Sequence, residues 1–154
     1  MPKGTLECSE ALFNREEKAV FKAAAKASIA RRMDAYNPQT GEMTTFAADP
    51  SQVIDLVIYA LPPSDYDATA ACLLTIVTYG LDRGRSDYLS NPARRFWWED
   101  RMNNMEDRLQ GIADDLAPFV PRQELFPSQW VDAINVTYLG KGPGCWAAAP
   151  AVAT

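Results

Sequence analysis

Apolar residues recur every three or four positions in two parts of the chain, and each repeat predicts an amphipathic helix. In the first, Phe21, Ala25, Ile29 and Met33 fall four apart, the spacing that lines up side chains on one helical face. Asn14, with Glu17 three residues on, has the form of a capping box, and Glu16 and Glu17 suit the positive end of the helix dipole. Arg31 and Arg32 sit in the last turn, where cations are favoured, and Asn37-Pro38 and Gly41 close the element. In the second, Trp98, Met102, Met105, Leu109, Ile112 and Leu116 are spaced four, three, four, three, four. They form one continuous stripe, in a helix that starts at Asn91-Pro92 and is ended by Pro118 and Pro121.

Between these two the apolar pattern is denser. Ser64, with Asp65 and Asp67 in the first turn, begins a third helix that runs through ATAACLLTIVTYGL. Nearly all of it is apolar, which predicts the most buried element of the fold. Asp49-Pro50 has the form of another helix start, and the VIDLVIYAL that follows fits a buried helix or a strand. EMTTF, residues 42–46, is a candidate short strand. A last short helix after Ser128 carries Trp130, Val131 and Ile134. The expected fold is mostly all-α: a four-helix-bundle-like domain over residues 1–140, with short extended or β pieces. The small residues, Gly and Pro of GKGPGCWAAAPAVAT predict an extended surface tail over residues 141–154.

Composition narrows the chemistry. A length of 154 residues fits one domain. The chain has no histidine, which excludes Ser-His-Asp and Cys-His nucleophile systems, imidazole bases and most zinc sites. It carries no Gly-rich phosphate loop, HExxH or EF-hand loop. No enzyme activity, metal or cofactor is therefore expected, and an enzyme that uses carboxylates ranks last. Cys8, Cys72 and Cys145 lack ligand-like spacing and read as reduced thiols. No apolar run reaches the roughly 18 residues that span a bilayer, and the N-terminus lacks a secretory apolar segment. A cytosolic history and no membrane partner are expected.

The net charge of -5 argues against a broad basic face. It leaves room for a small basic patch, and TYGLDRGRSDYLSNPARRFWWED, residues 78–100, supplies one. Arg83, Arg85, Arg94 and Arg95 lie here, followed by Arg101, in a chain with ten arginines. Arg94 and Arg95 fall in the first turn after Asn91-Pro92, where the helix dipole disfavours cations. Exposed helix amides beside guanidinium groups make a phosphate site. The competing reading is a surface ion network with Asp82, Asp87, Glu99 and Asp100, in which each pair contributes little. Trp98 belongs to the apolar stripe and Trp97 does not, so Trp97 reads as a cap on the bundle edge, a base-stacking platform or a subunit contact, the contact being preferred.

At these residues the chain resembles the coat proteins of rod-shaped plant viruses, of the tobacco mosaic virus type. YDATAACLLTIVTYGLDRGR, residues 66–85, is similar to that family's aromatic-led apolar helix ending in an Asp and two arginines one residue apart. Asn91-Pro92, Arg94-Arg95 and the acidic pair Glu99-Asp100 follow in similar order. Tyr36-Asn37-Pro38 with EMTTF, the Arg122 and Phe126 pair, and the small-residue tail also resemble family features. The resemblance covers residues 30–126. It departs from the family at residues 49–63, which read as an insertion, in its single long N-terminal helix, and in the short spacing between Arg85 and Arg94.

The resemblance implies a protein of the virion and host cytoplasm that self-assembles into a helical rod around single-stranded RNA. Arg83, Arg85, Arg94 and Arg95 would then lie near the RNA backbone, Asp34 at a subunit contact, and Glu99 and Asp100 near the RNA site. Carboxylates brought together in this way raise one another's pKa and would make assembly depend on pH. The alternative is a helical phage or cellular assembly or adaptor protein that binds no nucleic acid.

Overall fold

The first helix forms where its signals stand. In the computed structural model, which describes residues 2–33, 35–36, 43–44, 54–78, 104–121, 131–139 and 145–150, helix α1 spans Arg15–Arg32. Its capping box is complete: the Asn14 side-chain Oδ1 accepts from the Glu17 backbone N–H at 2.8 Å, and Glu17 Oε1 accepts from the Asn14 backbone N–H at 2.9 Å. Phe21, Ala25, Ile29 and Met33 are all buried. Phe13, just before the cap, packs on Phe21 with ring centroids 5.0 Å apart, which sets the angle at which the chain enters the helix.

The rest is not a four-helix bundle. A five-stranded mixed sheet is formed by β1 (Pro2–Ser9), β4 (Asp55–Leu61), β5 (Ala70–Thr78), β6 (Asp132–Tyr138) and β7 (Cys145–Pro150), in the order β4-β1-β5-β6-β7. A two-stranded piece, β2 (Ala35–Tyr36) with β3 (Met43–Thr44), contains part of the expected EMTTF strand. Among the described residues there is one further α-helix, α2 (Met105–Leu116), and two short 3-10 turns, Pro63–Asp65 and Ala117–Phe119. The mostly all-α expectation is thus overturned by the sheet.

The physical reason lies in the dense apolar run. The expected third helix is β5, a central strand hydrogen-bonded to β1 on one side and β6 on the other. Leu73 and Val77 lie half-buried on its second face beside the buried Leu74 and Ile76, so the run lacks a polar alternation and periodicity cannot tell it from a buried helix. Its β-branched stretch Thr75-Ile76-Val77-Thr78 favours the extended form. Of the two readings left open for VIDLVIYAL, the strand is the one adopted over Asp55–Leu61. The short helix expected to carry Val131 and Ile134 is instead strand β6, with Ala133, Ile134, Val136 and Tyr138 buried. Within the expected surface tail, Cys145–Pro150 is strand β7, which pairs along β6 and buries Ala147 and Ala149.

The topology is two β-α-β units back to back. In the first, β1 leads through α1 to β4, which runs parallel to β1; in the second, β5 leads through α2 to the parallel β6. The units meet at the antiparallel β1–β5 pair. Both crossovers run outward from that pair, and the right-handed preference of such crossovers places both helices on one face of the sheet. On that face Leu6, Cys8, Leu74, Ile76, Ile134 and Val136 meet Phe21, Ile29, Leu109, Ile112 and Leu116 in one core cluster.

The α2 stripe is buried at Met105, Leu109, Ile112 and Leu116; Trp98 and Met102 lie outside the described residues. Leu109→Ala should destabilise the fold by roughly 2–5 kcal/mol, as for a fully buried leucine whose site cannot collapse. A melting temperature equal to that of the parent protein would show that α2 does not pack as described.

Candidate functional site

Every residue singled out as a site from the sequence lies outside the described residues: Arg83, Arg85, Arg94 and Arg95 for phosphate, and Asp34, Glu99 and Asp100 for assembly. Trp97 lies outside them as well. The described residues offer three other arrangements, and each is built from a different part of the fold.

The first is a tie between the two helices. Asp115 of α2 accepts from Ser28 Oγ at 2.8 Å, from Arg31 Nη2 at 2.7 Å, and from Arg32 through Nε and Nη2, each at 3.1 Å. Arg108 Nη1 donates back to the Arg32 carbonyl oxygen at 2.7 Å. The Arg32 guanidinium lies over Gly111, where an added Cβ would come within 2.8 Å of its Cζ. Partial burial pushes the Asp115 carboxyl up, but the hydrogen bonds from Arg32, Ser28 and Arg31 outweigh it and hold the group down at about 2. The sequence shows Arg31 and Arg32 only as helix-end cations, and nothing in its local pattern marks Asp115 as their partner. This network holds the helices together.

The second is a pair of thiols. Cys8 and Cys72 are directly opposite each other in the antiparallel β1–β5 register, free and buried. Cys72 Sγ donates to the Ala133 carbonyl oxygen at 3.5 Å. Burial pushes the Cys8 thiol up to about 11 against the opposing pull of Lys18, and burial raises Cys72 as well. The thiolate is the nucleophile, so thiols held protonated in the core are inert at neutral pH.

The third is the outer strand of the sheet, and it is the candidate site. Among the described residues the strand partner of β4 is β1 alone. Natural edge strands are blunted by lysine, proline, a bulge or a covering element. Between Asp55 and Leu61, DLVIYAL has no lysine, proline or glycine. Val57 is 49% exposed and Tyr59 55% exposed, and both point away from the helix layer, on the face opposite Leu56. The opposite edge is treated differently: α2 packs along β7, and Gln110 Nε2 donates to the Ala148 carbonyl oxygen at 3.0 Å. At the Asp55 end a shallow depression of about 340 Å³ is lined by Lys3, Thr5, Lys26, Asp55 and Val57. Lys3 is the register neighbour of Asp55 across the β1–β4 ladder, so the one charge on β4 has a cation beside it.

No protein-family model, curated protein or solved structure matches the chain. No group of three or more His, Cys, Asp or Glu side chains that could hold a metal occurs among the described residues, and no helix among them is long and apolar enough to cross a membrane.

Two outcomes follow from the buried groups. Asp115 has its folded pKa below the ordinary value of 3.8, so its contribution is complete above about pH 4 and is lost as pH falls towards 2. Asp115→Asn should cost up to about 2 kcal/mol at neutral pH and flatten the acid limb of stability against pH; an unchanged acid limb would refute the helix tie. Cys8 and Cys72 should resist iodoacetamide in the native protein and react after denaturation, as read by peptide mass spectrometry. Rapid native labelling of either would place it outside the core.

Proposed function

We propose that the chain is a structural assembly protein whose copies associate through the sheet, and that Arg83, Arg85, Arg94 and Arg95 bind the phosphates of single-stranded RNA within the assembly. The observation that carries the assembly part is strand β4, an edge among the described residues, without internal lysine or proline and with Val57 and Tyr59 exposed. An apolar edge that offers its backbone hydrogen-bonding groups is a template for another chain. The RNA part is supported by the clustering of half the arginines in residues 83–101 of an acidic protein. This reading retains the function implied by the coat-protein resemblance. It gives up the rod architecture that goes with helical bundles, because the segment most like that family's helix is strand β5.

The two parts respond oppositely to salt. Each copy carries a net charge of -5, so copies repel, and screening should strengthen association of the protein alone. Phosphate contacts release counterions, and added salt weakens them. Sedimentation velocity should therefore show association of the free protein that increases with salt, and co-sedimentation of a single-stranded RNA that decreases with salt. Arg83→Gln/Arg85→Gln and Arg94→Gln/Arg95→Gln should each reduce RNA retention about equally for all sequences, since phosphate contacts carry little base information. Each lost contact should lower the salt slope by about 0.7. Association without RNA retention at any salt would support an adaptor that binds no nucleic acid, and a protein that stays monomeric would refute the assembly reading.

A further inference from the structure

We infer that β4 pairs with β4 of a second copy, antiparallel, about a two-fold axis that passes between the two Ile58 residues. The inference rests on the assembly reading and specifies its contact. Two edge strands related by a two-fold axis pair antiparallel only if the axis stands perpendicular to the sheet. That operation keeps the helix layers of both copies on the same side, so a residue on one face must meet a residue on the same face. In β4, Asp55, Val57, Tyr59 and Leu61 lie on the open face, and Leu56, Ile58 and Ala60 on the helix face. Faces match only when odd positions meet odd and even meet even. Of the registers that satisfy this, the one centred on Ile58 pairs all seven residues of the strand.

The same register is favourable in its side chains. Val57 of one copy lies opposite Tyr59 of the other, twice over, so the two large exposed apolar residues of β4 cover each other. Aromatic with β-branched is among the stabilising cross-strand pairs. Asp55 lies opposite Leu61, at the far end of the strand from its own counterpart, with Lys3 of its own copy as its ladder neighbour. No like charges within β4 oppose each other. Pro62 and Pro63 follow the strand and stop the pairing from running further. The partner is thus a second copy of this chain, and the product is a ten-stranded sheet. A two-fold contact closes after two copies, so the dimer is the unit from which larger assemblies grow through another surface.

The test uses the full chain. Val57→Lys/Tyr59→Lys places four like charges together at the two-fold contact and should weaken self-association at least about tenfold in sedimentation velocity. Its circular dichroism and melting should match the parent, since both side chains are exposed at the edge. Oxidation of an equimolar mixture of Val57→Cys and Tyr59→Cys proteins should yield a covalent dimer, with peptides joined through positions 57 and 59 and far less product from either protein alone. If the parent protein associates but the lysine variant associates equally and the mixed pair does not cross-link, the β4 contact is wrong and assembly uses another surface. If the parent protein is monomeric, both this contact and the assembly reading fail.

Discussion

The antiparallel ladder between β1 and β5 is the constraint on which the other elements depend. Each of its strands starts a crossover: β1 leads through α1 to β4, and β5 leads through α2 to β6. Because the two strands run in opposite directions and the crossovers leave in opposite directions, one handedness sends both helices to the same side. The sheet is therefore packed by a single helix layer, and the helices must meet each other above it. Gly4 shows how closely this layer is fitted to β1. An added Cβ there would come within 2.8 Å of Leu56 Cδ1 and 3.6 Å of Ile29 Cδ1, from the neighbouring strand and the helix above. The missing side chain lets those two reach across β1, at a position where a larger residue would have to displace core atoms.

Once the helices share one face, their contact needs a polar solution. Ser28 is buried in the α1–α2 seam, and its hydroxyl needs a partner. Asp115 supplies the acceptor, and Arg31 and Arg32 compensate the charge that this brings into the seam. The arrangement joins side chains more than eighty residues apart in sequence. It also explains why the residue beneath Arg32 is Gly111: the guanidinium lies flat where a side chain would stand. A glycine inside a helix costs about 1 kcal/mol of propensity relative to alanine, and here that cost leaves room for the tie.

The legibility of the sequence divided along the range of the forces involved. Helix α1 and the buried part of α2 were readable because capping and the 3.6-residue stripe are local; Asn14, Glu17, Phe21 and Ile29 carry the signal within four turns. The strands depended on partners far along the chain. β5 shows little polar alternation because Leu73 and Val77 place apolar residues on its second, half-buried face, and so it resembled a buried helix. β1 drew no reading at all: in PKGTLECS only Leu6 and Cys8 show the core face, with a glycine at the third position of that face. The candidate site followed the same division. The arginine cluster was visible as composition, whereas the edge position of β4 is a property of strand order, which DLVIYAL does not encode by itself.

Among the described residues, a helix side chain reaches the backbone of the edge strand β7. The crossover through α2 runs outward to β6, and the chain then returns as β7, so α2 comes to lie along the last strand and Gln110 reaches its backbone. The crossover through α1 ends at β4 itself, and no described strand follows on its outer side. An edge in that position would ordinarily carry a charge facing outward or a proline within it. In β4 the charge is confined to the first residue, where Lys3 is its ladder neighbour, and the prolines come only after the last. The middle of the strand is left with Val57, Ile58 and Tyr59. Net negative charge on each copy supplies a general repulsion that local blunting does not, and a long-range repulsion is the kind that salt can adjust. On the proposed assembly reading, association is a balance between a short apolar edge and the charge of the whole chain.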